Sequence, residues 1–314
     1  VPDGDAWTLD LRLAAPRPER EAEAVTDAFA GTLGPVPFAL PEHMVALFRM
    51  RRSLPALWSG REQLVAERGI PGMIEFETNF ANLTSGMGCL DEFLPHVGDE
   101  VIVVGTRPPE DAGAPQPALR VPDGALVWPL RDSESIARTL RVTFFNTIGI
   151  VNAQGRGLAL LPETETYRGV RIDTARYGDP HESEMGAMGG GGLPLRYNFA
   201  PSMALVHDHL VIASSDRIVR QIVDAFAEGP APAPGAVNAG LWIDPAEARA
   251  MLLRNREALV AKTMLDSGLA RAEAEQRIDL VLEAAALLRD ARLTVEETDE
   301  GQAVCLRAVV GASR

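Results

Sequence analysis

The sequence is poor in lysine, aromatic residues and cysteine, and each shortage weakens or excludes a class of function. Lys262 is the only lysine, so chemistry that needs a second lysine is excluded, and its surroundings (254–264) have the pattern of a charged helix. Aromatic residues make up 5% of the chain, which argues against a surface that stacks bases or sugars. The two cysteines, Cys89 and Cys305, are too few to indicate the redox compartment.

Large cationic clusters are also missing, and the chain carries an acidic excess. The formal net charge is −14, and a field of that sign repels a phosphate backbone, because nucleic acids bind mainly through neutralisation by cations. Two short basic stretches, Arg17–Arg20 and Arg49–Arg52, stand out, and we interpret both as solvated surface or helix-end charge. We therefore expect no nucleic-acid partner.

Long apolar runs are absent: none reaches the roughly 18 residues that a membrane-spanning helix requires. The chain begins with Val1 instead of methionine, which predicts a processed or trimmed N-terminus that a signal peptide or membrane anchor could precede. The 314 residues, 46% of them hydrophobic, suffice for a large buried core and favour two domains.

Strands that run into capped helices recur three times and are the clearest pattern present. In each, a strand is followed by a short polar side chain that can accept hydrogen bonds from the free amides at a helix start. The third is the most complete, with Pro245 at the first helical position and Glu247 three residues after the cap. The three predicted caps are Asp132, Ser215 and Asp244.

Alternation of apolar and polar residues predicts the strands. Ala6–Ala14 alternates, with Trp7 and Leu13 at the ends of its apolar face, which is typical of a half-buried strand in an antiparallel sheet. The other predicted strands are 43–50, 100–104, 125–130, 157–161, 167–177, 210–213, 239–243 and a closing hairpin of 293–298 and 303–310. The predicted helices are 19–33, 54–67, 71–84, 133–145, 216–226, one from 245 to 267 and one over 269–290.

These elements predict an α+β fold with two related halves, each a mainly antiparallel sheet with helices packed on one face. The N-terminal half is 1–107, a Pro/Ala/Gly linker covers 108–122, and the C-terminal half is 123–314. Within the second half, we expect a mobile Gly-rich loop at 178–194 and a Pro/Ala linker at 228–236.

His207 and His209 are the candidate metal ligands. Alternate residues of a strand point to the same side, so the two imidazoles could meet one metal. No third ligand is identifiable, and a polar turn before Leu210 is the interpretation that we favour. A further group in the Gly-rich loop could bind a cation but is expected only to solvate the loop; it comprises Asp179, His181, Glu182 and Glu184.

Two short motifs resemble catalytic or phosphate-binding sequences but lack the required context. The tetraglycine 189–192 has no following lysine or helix, so a phosphate cradle is not expected. Asp266-Ser267-Gly268 matches an aspartic-protease triplet, but it lies between two predicted helices and has no second copy. We identify no catalytic residue and no cofactor site, although groups distant in sequence could converge in space.

Cys89 and Cys305 leave two alternatives open. The last predicted strand has an apolar face, and Cys305 lies on the opposite face beside Arg307, which weakens a buried-core role for this cysteine. A long-range disulfide between Cys89 and Cys305 remains an alternative to two free thiols.

Several stretches resemble a family of uncharacterised bacterial extracytoplasmic proteins of the domain-of-unknown-function class. The resemblance rests on Leu54–Trp58 with Glu62–Leu64, on Phe93–Val101, and on Phe199–Val206 with Leu210–Ser215. It extends over most of the chain. The resemblance implies an exported protein of the periplasm, envelope or extracellular space, and it implies no catalytic residue.

The sequence supports three functional hypotheses. The first is a non-catalytic exported or envelope-associated protein that binds another protein or an envelope component. The second is a carrier of an apolar ligand in a cavity between sheet and helices. The third is a metal-dependent hydrolase that uses His207 and His209. The candidate cavity-lining residues of the carrier are Met44, Met50, Met73, Met87 and the helix face 278–288.

Overall fold

The computed structural model describes residues 6–16, 31–60, 69–84, 86–110, 116–154, 159–178, 193–232, 237–298 and 301–311. Helices and strands are mixed along the chain, as the α+β prediction requires. All eleven strands of the described ranges form one sheet, and every neighbouring pair in it is antiparallel. The order across the sheet is β1-β11-β10-β9-β2-β3-β4-β8-β7-β6-β5.

The strands are β1 (Ala6–Pro16), β2 (Met44–Arg51), β3 (Glu100–Thr106), β4 (Asp123–Pro129), β5 (Leu160–Tyr167), β6 (Val170–Tyr177), β7 (Ser202–Val206), β8 (His209–Ala213), β9 (Val237–Ile243), β10 (Leu288–Thr298) and β11 (Gly301–Gly311). The described α-helices are α1 (Leu54–Ser59), α2 (Ile70–Leu83), α3 (Ser133–Gln154), α4 (Asp216–Glu228), α5 (Pro245–Arg254), α6 (Arg256–Ser267) and α7 (Arg271–Leu287). Short π and 3₁₀ turns cover Cys89–Phe93, Leu94–His96 and Leu195–Asn198.

The three predicted strand–cap–helix modules are confirmed. Asp132 accepts from the amide of Ser135 at the start of α3 (3.2 Å), and Ser215 accepts from the amide of Ile218 in α4 (3.5 Å). Asp244 accepts from two amides at the start of α5, at 2.9 and 3.0 Å. Each short polar side chain satisfies donors that the first helical turn leaves unpaired, which fixes where the helix begins.

Helices cover both faces of the sheet. On one face, Ile218 and Ile222 of α4 pack against Val127 and Val211 in a large core cluster. On the other face, α3 contributes Ile136 and Leu140 to a second cluster, whose strand residues are Met203 and Leu210. We name these two sides the α4 face and the α3 face.

The predicted division into two halves with separate sheets is not confirmed. β2 and β3 of the N-terminal part lie between β9 and β4 of the C-terminal part, so one sheet includes both. Helices on a single face are not found either, since α3 and α4 lie on opposite sides. The described part of the predicted linker 108–122 is anchored, because Asn255 accepts from the Arg120 amide (2.8 Å) and donates to the Arg120 carbonyl (2.7 Å).

Three predicted elements are divided differently in the structure. The expected helix 245–267 is split at Asn255 into α5 and α6. The expected strand 167–177 is interrupted by a two-residue turn, in which Arg168 (φ 48°) and Gly169 (φ 81°) have left-handed backbones that suit a tight hairpin. The expected helix 269–290 ends at Leu287, and the chain continues directly as β10. There, Leu288 and Asp290 pair with β11, and this pairing overrides the helical periodicity.

Two predictions about exposure are wrong. β1 exists as predicted, but its apolar face is not half-buried: Trp7 is 79% and Leu13 72% exposed. The basic stretch 49–52 is not simply solvated surface, because Arg49 is fully buried within β2. The alternating pattern identified the strands correctly, but it could not show which strand stands at the sheet edge and which stands in its middle.

Several predictions concern residues outside the described ranges. They are most of the helix 19–33, the second part of the helix 54–67, the basic stretch 17–20, nearly all of the Gly-rich loop 178–194 with its acidic and histidine residues, and positions 233–236 of the second linker.

Deleting part of the Ile222 side chain should lower the free energy of unfolding strongly. Ile222 is fully buried between α4 and the sheet, so Ile222→Ala should cost about 2–5 kcal/mol through lost burial and the remaining cavity. Urea denaturation followed by circular dichroism measures this. The matched control is Ile74→Ala on α2, where Ile74 is 60% exposed and the cost should stay below about 0.5 kcal/mol. Equal costs at both positions would contradict this core.

Candidate functional site

An apolar pocket of about 190 Å³ opens on the α4 face, where β2 and β9 meet. Its cover is the extended segment 31–40, which we name the strap. Leu33 of the strap donates to the Val237 carbonyl (2.7 Å), Val36 forms a two-way bridge with Ala231, and Ala39 donates to the Ala225 carbonyl (3.0 Å). The pocket is lined by Val36, Leu40, Met44, Leu47, Arg49, Ala231, Pro232 and Trp242.

Arg49 is the polar side chain of this pocket, and it is fully buried. Leu47 and Arg49 lie on the same face of β2, so the strand that supplies the apolar wall also carries the guanidinium beneath the strap. The Nε group donates to Glu100 Oε1 (2.7 Å), and Nη2 donates to the Pro35 carbonyl (3.2 Å). Nη1 has no hydrogen-bond partner in the described part of the chain. A buried donor of this kind normally has an acceptor, because leaving it unpaired costs about 1–3 kcal/mol.

Gly240 makes room for the aromatic wall beside Arg49. It pairs with Arg49 across the β2–β9 ladder, and the Trp242 indole folds back over it. A Cβ atom at position 240 would lie 2.3 Å from the far end of that ring, which is too close for the ring to stay in place. The missing side chain therefore determines where the indole lies.

Burial also perturbs the carboxylate that pairs with Arg49. Desolvation raises the pKa of Glu100 above its usual value of 4.5, and the attraction of the Arg49 guanidinium offsets only part of this rise. The Glu100 carboxylate is therefore protonated more easily than an exposed glutamate. Burial disfavours its charged form even though Arg49 is its partner.

Among the residues that the structure describes, His207 and His209 have no third metal-ligating side chain grouped with them. His207 and Asp208 occupy a tight turn between β7 and β8, with φ of 43° and 57°, which confirms the polar turn that the sequence favoured. Both imidazoles lie against Phe226 of α4, with ring centroids at 5.5 Å for His207 and 4.9 Å for His209. Burial lowers the pKa of His209. Within the ranges the structure describes, no three His, Cys, Asp or Glu side chains are grouped to hold a metal ion.

The two cysteines lie far apart, and both are free thiols. Cys89 is buried in the α3-face cluster against β4, β7 and β8, while Cys305 lies on β11. Five strand spacings separate β11 from β4 in the sheet order, roughly 24 Å, whereas a disulfide needs Cα atoms within about 7 Å. The Cys89–Cys305 disulfide is therefore not formed in this structure.

The protease-like triplet has a structural role. Gly268 has a left-handed backbone (φ 66°) and ends α6, where its amide donates to the Met264 carbonyl (2.9 Å). Asp266 accepts from Lys262 (2.7 Å), an ordinary pair one helical turn apart. The interpretation as a helix terminator is confirmed.

A second, wider cleft of about 550 Å³ lies near the start of α3 and contains a histidine and a serine. His96 Nδ1 is 3.4 Å from Ser135 Oγ, and the same hydroxyl also donates to the Asp132 carbonyl (3.3 Å). Activation of a serine requires a close base that a third group orients. Among the described residues, no side chain hydrogen-bonds the other ring nitrogen of His96, so no described group orients this imidazole as a base.

Only part of the predicted cavity lining is found at the pocket. Met44 lines it, whereas Met87 borders the wider cleft, Met50 points to the α3 face, and the helix face 278–288 is elsewhere. Sequence reasoning missed Arg49. The available signal was that Arg49 lies two residues after Leu47 and so shares its face of the strand. This indicates a buried arginine only if β2 is known to be a central strand of the sheet.

No family model, curated protein or solved structure matches this chain. The resemblance to extracytoplasmic proteins therefore stays a prediction. No helix in the described ranges has the length and apolar character needed to cross a membrane.

Replacing Glu100 should change how stability depends on pH. Because the folded-state pKa is raised, Glu100 contributes stability below about pH 4.5 that is lost as the pH rises through the folded value. The free energy of unfolding of the wild type, minus that of Glu100→Gln, should therefore fall as the pH rises above about 4.5. Urea denaturation of both proteins across this range measures it. A difference that grows with pH would contradict the raised pKa.

Proposed function

We propose that this protein is a non-catalytic binding protein that holds a small apolar ligand, with an oxygen acceptor at one end, in the pocket under the strap. The observation that carries the proposal is the fully buried Arg49, which lines an apolar pocket and whose Nη1 group has no acceptor among the residues that the structure describes. An apolar ligand end would fill the pocket, and its oxygen would accept from Nη1.

The pocket volume supports a ligand of about one ring. An engineered apolar cavity of about 150 Å³ binds benzene, so about 190 Å³ admits a substituted ring or a short aliphatic chain. The aromatic wall of Trp242 and the adaptable side chain of Met44 suit either shape.

The charge balance accommodates both neutral and anionic acceptors. Glu100 already neutralises Arg49, so a carbonyl oxygen meets a donor without leaving a net charge buried. A carboxylate would make a stronger charge-assisted bond, and the raised pKa of Glu100 favours the proton uptake that would balance it. The shared chemistry is an apolar body with one terminal oxygen acceptor.

Access to Nη1 requires side-chain movement at the pocket floor, since Arg49 has no solvent exposure. Leu40 is 45% exposed and lines the pocket, and Met44 is unbranched and flexible. Both can move without breaking the backbone bridge between Val36 and Ala231.

Fluorine NMR with three ring probes tests the proposal. We expect 4-fluorobenzoate or 4-fluoroacetophenone to bind at least about tenfold more tightly than 4-fluorotoluene, because a hydrogen bond to a charged group contributes about 1.5–3 kcal/mol. Arg49→Met keeps the volume and removes the donor. It should abolish this preference while 4-fluorotoluene binding is retained.

A second variant keeps the proposal testable if Arg49→Met fails to fold. Leu40→Asp places a negative charge at the pocket and should weaken 4-fluorobenzoate binding at least about tenfold. Its matched control is Leu253→Asp, at an exposed leucine of α5 that does not line the pocket, and this variant should bind as the wild type does. No binding of any probe, or a preference that survives Arg49→Met, would overturn the proposal.

We further propose an extracytoplasmic location, and the resemblance of the sequence to exported proteins supports it. Fractionation of source cells followed by immunodetection tests the location. Recovery in the periplasmic, envelope or secreted fraction is expected, and recovery with cytoplasmic markers would refute it.

A further inference from the structure

β1 forms one edge of the sheet and is unusually open. It is eleven residues long and pairs with β11 along its whole length, while no described strand pairs with its outer side. Trp7 is 79% and Leu13 72% exposed, with Leu9 and Leu11 on the same face half exposed. The exposed apolar face continues inward through Leu306 of β11 and Leu293 of β10.

The opposite edge of the sheet has the features that usually prevent edge pairing. β5 contains Pro162, which lacks a backbone donor, and it carries two acidic residues, the exposed Glu163 and the half-buried Glu165. Proline and charge are the common means by which an edge strand avoids association with another strand. β1 has no proline before its last residue, and its two charges, Asp10 and Arg12, have opposite signs.

The sequence of β1 is complementary to itself in antiparallel orientation. We propose that β1 pairs with β1 of a second copy about a two-fold axis at Leu11. In that register, Asp10 stands opposite Arg12 of the other copy, and Leu9 stands opposite Leu13. A two-fold symmetric interface requires such self-complementarity, because the same strand supplies both sides of the contact.

The charges in β1 are available for this contact. Asp10 is 3.8 Å from Arg307, and Arg12 is 3.5 Å from Glu296, so both make only loose pairs within the chain. Opposite charges directly across an antiparallel pair favour pairing, and like charges oppose it. All odd-numbered residues from Leu9 to Leu13 stay on one side in this register, so the apolar face becomes continuous across both copies.

Charge reversal with rescue by mixing tests the register. Size-exclusion chromatography with light scattering, at about 50 µM, should give twice the 33.7 kDa chain mass for the wild type. Asp10→Arg alone places arginine opposite arginine, and Arg12→Asp alone places aspartate opposite aspartate. Each variant should raise the dimer dissociation constant at least about tenfold.

An equimolar mixture of the two variants should recover the dimer. Arginine at position 10 of one copy then faces aspartate at position 12 of the other. The unchanged Arg12 of the first copy likewise faces the unchanged Asp10 of the second. The double variant Asp10→Arg with Arg12→Asp should dimerise by itself. Both positions are exposed, and circular dichroism checks that the fold is unchanged. A monomeric wild type, higher oligomers, or variants that fail to recover on mixing would overturn the proposal, whatever the outcome for the pocket.

Discussion

The ladder between β2 and β9 is the contact on which the sheet depends. Five residue pairs join these strands, which are far apart in sequence, and among the described strands no other pairing connects β9, β10, β11 and β1 to the rest of the sheet. Side chains secure both ends of the ladder: Arg107 donates to Glu247 at one end (2.5 Å), and Arg52 donates to Asn238 at the other. Without this ladder, one continuous sheet would become two.

The same ladder shapes the pocket, because it places Arg49 opposite Gly240, over which the Trp242 indole folds. A buried ion pair is weak grounds for stability, since desolvation consumes most of its Coulombic attraction, and well-packed apolar residues often do as well. A buried arginine in an ion pair therefore contributes little stability that an aliphatic residue could not. Its distinctive property is the Nη1 donor, which has no acceptor among the residues that the structure describes.

Local sequence signals predicted the elements, whereas long-range pairing determined the architecture. The caps at Asp132, Ser215 and Asp244 and the turn at His207 follow from short-range hydrogen bonding and could be predicted. The position of β2 in mid-sheet depends on a strand nearly two hundred residues later, and no local pattern encodes that pairing. The burial of Arg49 follows from that position, so the candidate site could not be predicted by the same reasoning.

Geometry separates the pocket from the open edge at β1. Four strand spacings lie between β1 and β2, so two copies joined at β1 would place their pockets nine spacings apart, roughly 43 Å. Adjacent strands rotate by about 20° each, so nine spacings turn the sheet through about 180°. The two pockets then open towards opposite sides although both lie on the α4 face of one sheet. In such a dimer, no single ligand and no strap could contact both pockets.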